Sequence, residues 1–124
     1  MNSIVLIVDD AASNRELVRY VLDRNGYSTR EADSGAAALR LLHAERPDLV
    51  LSDVQMPEVD GYTLARAIRT DPDLQAIPIV FYTAHYITRQ DVIDAADVGV
   101  NRIVGKTGNL DELLDAVADA LRVA

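Results

Sequence analysis

The chain of 124 residues contains no cysteine and no tryptophan, and it has no apolar run long enough to cross a bilayer. Without cysteine, a disulfide framework and thiolate metal sites are excluded, and an intracellular protein is favoured. A membrane-spanning helix needs roughly 20 consecutive apolar residues, and a secretory signal begins with a basic segment that residues 1–4 lack. We therefore expect a cytoplasmic protein that does not insert into membranes.

Positive charge is scarce as well, since the formal net charge is −8 and Lys106 is the only lysine beside eleven arginines. Proteins that bind duplex nucleic acid neutralise its phosphates with clustered lysine and arginine, whereas the basic residues of this chain are scattered singly. Direct binding of nucleic acid is therefore not expected. The preference for arginine over lysine fits a bacterial source with a GC-rich genome.

The length fits one domain, because domains most often have roughly 100–150 residues. A chain of this size buries about two-thirds of the surface that its unfolded form exposes, which is enough for a core. No linker, low-complexity segment or internal repeat interrupts the sequence. We expect a single domain over residues 1–124.

Apolar, β-rich segments alternate with helical patterns five times along the chain. The predicted strands cover residues 4–8, 27–32, 49–53, 77–82 and 101–105. The helices are predicted to begin near Ser13, Ser34, Gly61, Thr88 and Asn109. Ser13 with Glu16 three residues later has the pattern of a capping box, and Gly26 is placed to end the first helix.

This alternation, with short connections, indicates a parallel sheet covered by helices on both faces. Crossovers between parallel strands are right-handed, which limits the possible topologies. The predicted fold is α/β: a single doubly wound, flavodoxin-like (βα)5 unit with strand order 2-1-3-4-5.

Four of the predicted strands end in polar side chains. These residues are Asp9 and Asp10 after the first strand, Asp53 as the last residue of the third, Thr83 after the fourth and Lys106 after the fifth. The carboxyl ends of parallel strands lie on one edge of a sheet, and ligands bind at that edge where the strand order reverses. Taken singly, each residue is most often a turn, a helix cap or a surface charge. Their coincidence at four strand ends indicates a site.

The chemistry of these side chains favours phosphoryl transfer. Three carboxylates at one edge repel one another unless positive charge is supplied, and all-oxygen ligands favour Mg²⁺ or Mn²⁺ over zinc or copper. Lys106 supplies a second cation, and Thr83 supplies a hydroxyl donor. Phosphoryl transfer depends on positioning and charge neutralisation, and the carboxylate of Asp53 needs no base to act as a nucleophile.

The pattern resembles the receiver domain of two-component response regulators over essentially the whole chain, with a fold similar to that of chemotaxis receivers. The segments that carry the resemblance are Asp9-Asp10, residues 53–61 (Asp-Val-Gln-Met-Pro-Glu-Val-Asp-Gly), Thr83-Ala84 and Lys106. The Met-Pro pair at a fixed distance after the acid, with Asp-Gly beyond it, makes residues 53–61 highly specific.

The resemblance implies that Asp53 is the phosphoacceptor and that Thr83 and Lys106 each bind a phosphoryl oxygen. The residues that would ligate Mg²⁺ are Asp9, Asp10, Asp53 and, through its backbone carbonyl, Gln55. The side chains of Gln55 and His85 stand where receivers place residues that tune the lifetime of the acyl phosphate.

The resemblance also implies a phosphodonor and an output. The donor is the phosphohistidine of a sensor histidine kinase or of a histidine phosphotransfer domain. The receiver then catalyses its own phosphorylation and dephosphorylation and is not a stand-alone metabolic enzyme. Phosphorylation is expected to change the surface of the fourth helix, fifth strand and fifth helix, which acts on a downstream effector or a fused domain.

Two positions depart from the usual receiver pattern. Thr107 follows Lys106 where the family usually has proline, often with a cis bond; because a non-proline cis bond costs about 3 kcal/mol, we expect either a rearranged trans loop or a strained one. Ile103 stands where receivers commonly carry an aromatic switch residue. The candidate modulating and switch residues are Gln55, Tyr82, Ala84, His85, Tyr86 and Ile103, with the two tyrosines as substitutes for the missing aromatic residue.

Two other functions are compatible with parts of the pattern. A receiver fold without a working switch would be a docking or dimerisation module whose output does not depend on phosphorylation, which the departures at Ile103 and Thr107 favour. The segment Gly105-Lys106-Thr107 matches the end of a P-loop, but the first glycine of that motif is missing because position 100 is Val100. Nucleotide hydrolysis is therefore rejected, and the phosphorylatable receiver is the leading hypothesis.

Overall fold

The computed structural model describes residues 2–106 and 109–122, which form five strands alternating with five helices. The strands are β1 (Ile4–Val8), β2 (Ser28–Ala32), β3 (Leu49–Asp53), β4 (Ile79–Thr83) and β5 (Arg102–Gly105). The helices are α1 (Ala12–Arg24), α2 (Gly35–Ala44), α3 (Gly61–Thr70), α4 (Arg89–Asp97) and α5 (Leu110–Arg122). Within these residues no helix combines the length and the apolar character that crossing a membrane requires.

The strands form one parallel sheet in the order β2-β1-β3-β4-β5. The order reverses beside β1, which pairs with both β2 and β3. The register places Asp53 opposite Tyr82 and Thr83 opposite Gly105. Strand β4 begins two residues later than predicted, since Pro78 has no N–H to donate to a ladder. The predicted (βα)5 fold and its strand order are confirmed.

Helices cover both faces of the sheet, as its apolar strands require. Successive side chains of a strand point to opposite faces, so Leu6 and Val8 join one apolar cluster while Val5 and Ile7 join the other. The first cluster is closed by α2, α3 and α4, and the second by α1 and α5. Every residue of β3 and β4 is buried. This continuous burial holds the polar strand ends in defined positions.

Side-chain caps start four of the helices. Ser34 caps α2, and Thr88 with Asp91 forms a capping box at the start of α4, so both helices begin close to their predicted starts. Asn109 accepts hydrogen bonds from backbone N–H groups in the first turn of α5. Asp60 caps α3 in the same way. These caps satisfy backbone donors that the helices cannot satisfy themselves.

The predicted start of α1 at a capping box on Ser13 is wrong. The helix begins at Ala12, and its N-cap residue Ala11 makes no side-chain hydrogen bond. Instead, the Ala11 N–H donates to Asp9 Oδ1 at 2.8 Å, so the chain turns into the helix directly after β1 and Ser13 falls inside the first turn. The helix does end before Gly26, whose φ of 88° is the left-handed conformation that glycine adopts readily.

Candidate functional site

The carboxyl edge of the sheet brings the predicted site residues together. Strand β1 runs into Asp9, β3 ends in Asp53, β4 ends in Thr83, and β5 is followed by Lys106. The backbone N–H of Lys106 donates to the Thr83 carbonyl at 2.7 Å, which extends the ladder and carries the lysine to this edge. Four neighbouring strands thus each contribute a polar side chain to the same end of the sheet.

Three carboxylates form the centre of this group. Oxygen atoms of Asp9, Asp10 and Asp53 lie within 4.8 Å of one another. Asp9 is fully buried, Asp53 is 8% exposed, and Asp10 is exposed to solvent. The backbone N–H of Gln55 donates to Asp53 Oδ1 at 3.3 Å, so the next segment of chain lies against the same carboxylate. An all-oxygen set at this spacing, open to water on one side, fits Mg²⁺, which prefers carboxylates and retains several waters.

Lys106 bridges two of these carboxylates. Its ammonium nitrogen lies 2.9 Å from Asp9 Oδ2 and 3.1 Å from Asp53 Oδ2, and its side chain is 15% exposed. An ammonium in this position offsets the repulsion between the two acids. The only lysine of the chain is therefore placed at the acidic cluster.

Asp9 accepts three hydrogen bonds through its carboxylate. Its Oδ1 accepts from the Ala11 N–H at 2.8 Å, and its Oδ2 accepts from the Tyr82 hydroxyl at 2.6 Å and from Lys106 at 2.9 Å. Burial by itself raises the pKa of Asp9, but these hydrogen bonds and the lysine charge together outweigh it and hold the pKa below its ordinary value. The carboxylate therefore stays ionised although it is fully buried.

Tyr82 makes contacts that its place in the sequence does not reveal. It is 2% exposed, its hydroxyl donates to Asp9, and its ring centroid lies 4.5 Å from the Lys106 ammonium nitrogen. Burial, followed by the hydrogen bond to Asp9 and the charges of Asp9 and Asp53, raises the pKa of Tyr82 far above its ordinary value. The sequence indicates that a tyrosine at the end of a buried apolar strand needs a partner for its hydroxyl, but it does not identify Asp9 as that partner.

Gln55 and His85 connect the loops that follow β3 and β4. Gln55 Oε1 lies 2.6 Å from His85 Nε2, and the His85 N–H donates to Thr83 Oγ1 at 3.2 Å. Gln55 and His85 are exposed, and so is Ala84, which lies between Thr83 and His85 in the chain. The two positions predicted to tune the lifetime of the acyl phosphate are therefore in direct contact with each other at the rim of the site.

The loop after β3 is anchored close to Asp53. The Gly61 N–H donates to the Val54 carbonyl at 2.9 Å, and a Cβ atom at Gly61 would lie 2.7 Å from the Asp53 carbonyl oxygen, so the start of α3 requires glycine there. Glu58 has a φ of 66°, a left-handed conformation that costs a non-glycine residue about 1–2 kcal/mol. The loop that follows the predicted phosphoacceptor therefore combines close packing at Gly61 with a strained backbone at Glu58.

The two tyrosines suggested as substitutes for an aromatic switch lie in different environments. Tyr82 is held inside the site, whereas Tyr86 is 89% exposed. Ile103, at the position of the usual aromatic residue, is half-buried and packs against the cluster closed by α2, α3 and α4. The predicted distortion at the bond between Lys106 and Thr107 falls outside the described residues.

Comparison with known proteins gives one consistent result. Residues 5–118 match the response regulator receiver domain family. The chemotaxis protein CheY of Pseudomonas aeruginosa is 39% identical over 103 residues, which cover 82% of each chain. The structure of the chemotaxis protein CheY4 of Vibrio cholerae has a TM-score of 0.90 and 28% identity, covering 97% of this chain and 99% of that chain. The receiver domain of a signal transduction histidine kinase from Syntrophus aciditrophicus has a TM-score of 0.88 and 34% identity, covering 98% of this chain and 92% of that chain.

Proposed function

The chain belongs to the response regulator receiver domain family, and we therefore propose that it accepts a phosphoryl group on Asp53 in a two-component phosphorelay. Receiver domains of this family act as phosphoacceptors between histidine kinases and downstream effectors. The observation that carries the proposal is the position of the Lys106 ammonium, 2.9 Å from Asp9 and 3.1 Å from Asp53, at the edge where the strand ends meet. This edge offers a nucleophile, oxygen ligands for a cation and a fixed positive charge.

Asp53 is the nucleophile in this proposal. A carboxylate oxygen attacks the phosphorus of a phosphohistidine, the new O–P bond forms as the P–N bond breaks, and the imidazole nitrogen leaves with the electron pair. No neighbouring base is required, because a carboxylate is ionised at neutral pH. Attack of water on the phosphorus later returns the carboxylate and inorganic phosphate. The domain thus catalyses its own phosphorylation and dephosphorylation.

The other side chains of the site stabilise the charge of the transferred group. The three acids and the backbone carbonyl of Gln55 would hold Mg²⁺ or Mn²⁺, which would supply positive charge to the phosphoryl oxygens. Lys106 binds one phosphoryl oxygen and Thr83 donates its hydroxyl to another. Gln55 and His85, joined at the rim of the site, set how readily water reaches the acyl phosphate.

Lys106 and Thr83 connect the site to an output surface on α4, β5 and α5. When both residues move toward the phosphoryl group on Asp53, they shift an existing equilibrium between conformations of the β4–β5 surface. Helix α4 exposes Val92 and Ile93, which are 51% and 45% exposed, as apolar surface that a downstream effector or fused domain can cover. We place this function in the bacterial cytoplasm, with a sensor histidine kinase or a histidine phosphotransfer domain as donor and no direct contact with nucleic acid.

A docking or dimerisation module with the same fold is the second candidate function. The aliphatic, half-buried Ile103 at the switch position favours it, because this side chain offers no aromatic ring to reorient. In that case the affinity for a partner would be the same with and without beryllofluoride and Mg²⁺, which together imitate an aspartyl phosphate.

Labelling by acetyl phosphate with Mg²⁺ tests the assignment of Asp53. Asp53→Asn keeps the size of the side chain and removes the nucleophilic oxygen. We therefore expect no labelling, so the mass should not increase by that of a phosphoryl group. The matched variant Asp73→Asn, at an exposed position, should be labelled like the wild type. Undiminished labelling of Asp53→Asn would contradict the proposal.

A further inference from the structure

Tyr82 contacts two charged residues of the site at once. Its ring centroid lies 4.5 Å from the Lys106 ammonium nitrogen, and its hydroxyl donates to Asp9 Oδ2 at 2.6 Å. Lys106 donates to the same oxygen at 2.9 Å and to Asp53 at 3.1 Å. The tyrosine and the lysine therefore share one acceptor atom, and the lysine has a second acceptor on the predicted nucleophile.

We propose that Tyr82 is a positioning residue for phosphoryl transfer, which holds Asp9 in place and lets Lys106 leave it for the incoming phosphoryl group. The inference rests on the proposed function of Asp53. When the lysine leaves, Asp9 Oδ2 retains the Tyr82 hydroxyl and Oδ1 retains the Ala11 N–H. Without the hydroxyl, a fully buried carboxylate would retain the lysine more strongly, because an unpaired buried charge is costly.

The ring of Tyr82 guides the ammonium during this change of partners. A cation over an aromatic face is attracted to the ring while its N–H donors stay available for other acceptors. Tyr82 is 2% exposed and lies in a strand that is buried at every position, so the ring forms a fixed wall of the site. The Tyr82 hydroxyl, a phenol that is protonated at neutral pH, remains the donor to Asp9 throughout.

Tyr82→Phe distinguishes the contribution of the hydroxyl from that of the ring, because phenylalanine keeps the ring and lacks the donor. We expect the maximal rate of acetyl phosphate labelling at saturating Mg²⁺ to fall about 10-fold, the usual effect of losing one hydrogen bond to a charged group. The Mg²⁺ concentration at half-maximal rate should stay the same or fall, since Asp9 then keeps more of its charge for a cation. The matched variant Tyr20→Phe, at a position 59% exposed, should change neither quantity.

Two kinetic results would overturn the inference. One is a wild-type maximal rate in Tyr82→Phe. The other is a raised Mg²⁺ concentration at half-maximal rate, which is the result expected if Tyr82 only shaped the orientation of Asp9.

The single lysine provides a readout that does not depend on labelling. The methylene protons beside the Lys106 ammonium should show an upfield ring-current shift in the NMR spectrum of the wild type, which Tyr82→Phe retains and Tyr82→Leu loses. A Lys106 signal that does not respond to Tyr82→Leu overturns the inference whether or not the wild type is labelled. Absence of labelling in the wild type contradicts the proposed function and with it any role of Tyr82 in transfer, while the Lys106 signal still reports whether the contact exists.

Discussion

At the carboxyl end of the sheet a lysine ammonium lies between two carboxylates, whereas at the amino end an arginine guanidinium is held by neutral carbonyl oxygens. Arg69 donates to the Gly99 carbonyl at 2.7 and 3.0 Å and to the carbonyls of Gln75 and Ile77 at 3.1 and 2.6 Å. The partners of Lys106 carry negative charge that other cations can neutralise, while the partners of Arg69 carry none. Lys106 can therefore be replaced by another cation at its carboxylates, whereas Arg69 has a structural role and holds two loops together.

Backbone strain follows the same division. Among the described residues, the positive φ angles at the amino end belong to Gly26 and Gly99, at 88° and 77°, and glycine adopts them without steric cost. At the carboxyl end the positive φ of 66° belongs to Glu58, in the loop that follows Asp53. Strain is thus tolerated beside the candidate site, where it often accompanies function.

The largest effect is expected from Lys106→Met, which removes the exchangeable cation. Labelling of Asp53 should fall about 100-fold, the usual loss when one donor to a developing anion is removed. Without Mg²⁺, the free energy of unfolding should fall by about 2 kcal/mol, because Asp9 and Asp53 are then left without a common positive partner. Denaturant unfolding should show that Mg²⁺ restores most of the stability. Mass spectrometry should show that Mg²⁺ does not restore labelling. If the stability of Lys106→Met did not respond to Mg²⁺, the charge of Lys106 could not be replaced by another cation, and the two ends of the sheet would not differ in this respect.

A smaller effect, confined to stability, is expected from Arg69→Met. Replacing the guanidinium leaves three carbonyl groups without their donor, which should cost about 2 kcal/mol in the free energy of unfolding. Mg²⁺ should not recover this loss, and labelling of the folded variant should match the wild type. Arg66→Met, an exposed position on the same helix, should change the stability by less than about 0.5 kcal/mol. Recovery of Arg69→Met by Mg²⁺ would show that the two ends are not distinct.

The smallest effect is expected from Glu58→Gly, which relieves the left-handed backbone. The free energy of unfolding should rise by about 1 kcal/mol, because glycine adopts a φ of 66° without strain. The matched replacement Glu16→Gly, inside α1, should instead lower the stability by about 1 kcal/mol. Thermal unfolding of the two variants measures both changes. Destabilisation by Glu58→Gly would show that the backbone at this position is not strained.

The sheet and the acids at its carboxyl edge could be predicted from the sequence because they depend on local patterns. Apolar runs defined the strands, and the residue that ends each run defined the edge on which Asp9, Asp53 and Lys106 meet. Parallel pairing then brings these positions together without any knowledge of side-chain conformation.

The remaining contacts could not be predicted because they join distant side chains. The hydroxyl of Tyr82 and the carboxylate of Asp9 are 73 residues apart in the chain, and Arg69 reaches Gly99 across 30 residues. Such contacts depend on rotamers and on how layers pack, which sequence patterns do not encode. The start of α1 was predicted wrongly for a related reason: the Ala11 N–H is bound by Asp9, a contact created by the site itself.

Titration with beryllofluoride and Mg²⁺, followed by amide NMR, tests whether Asp53 and Lys106 form a phosphoacceptor site with Mg²⁺. We predict saturable shifts centred on Asp53 that extend through Thr83 toward Ile103 and are absent from Asp53→Asn. A wild-type spectrum that does not change on titration would contradict this prediction.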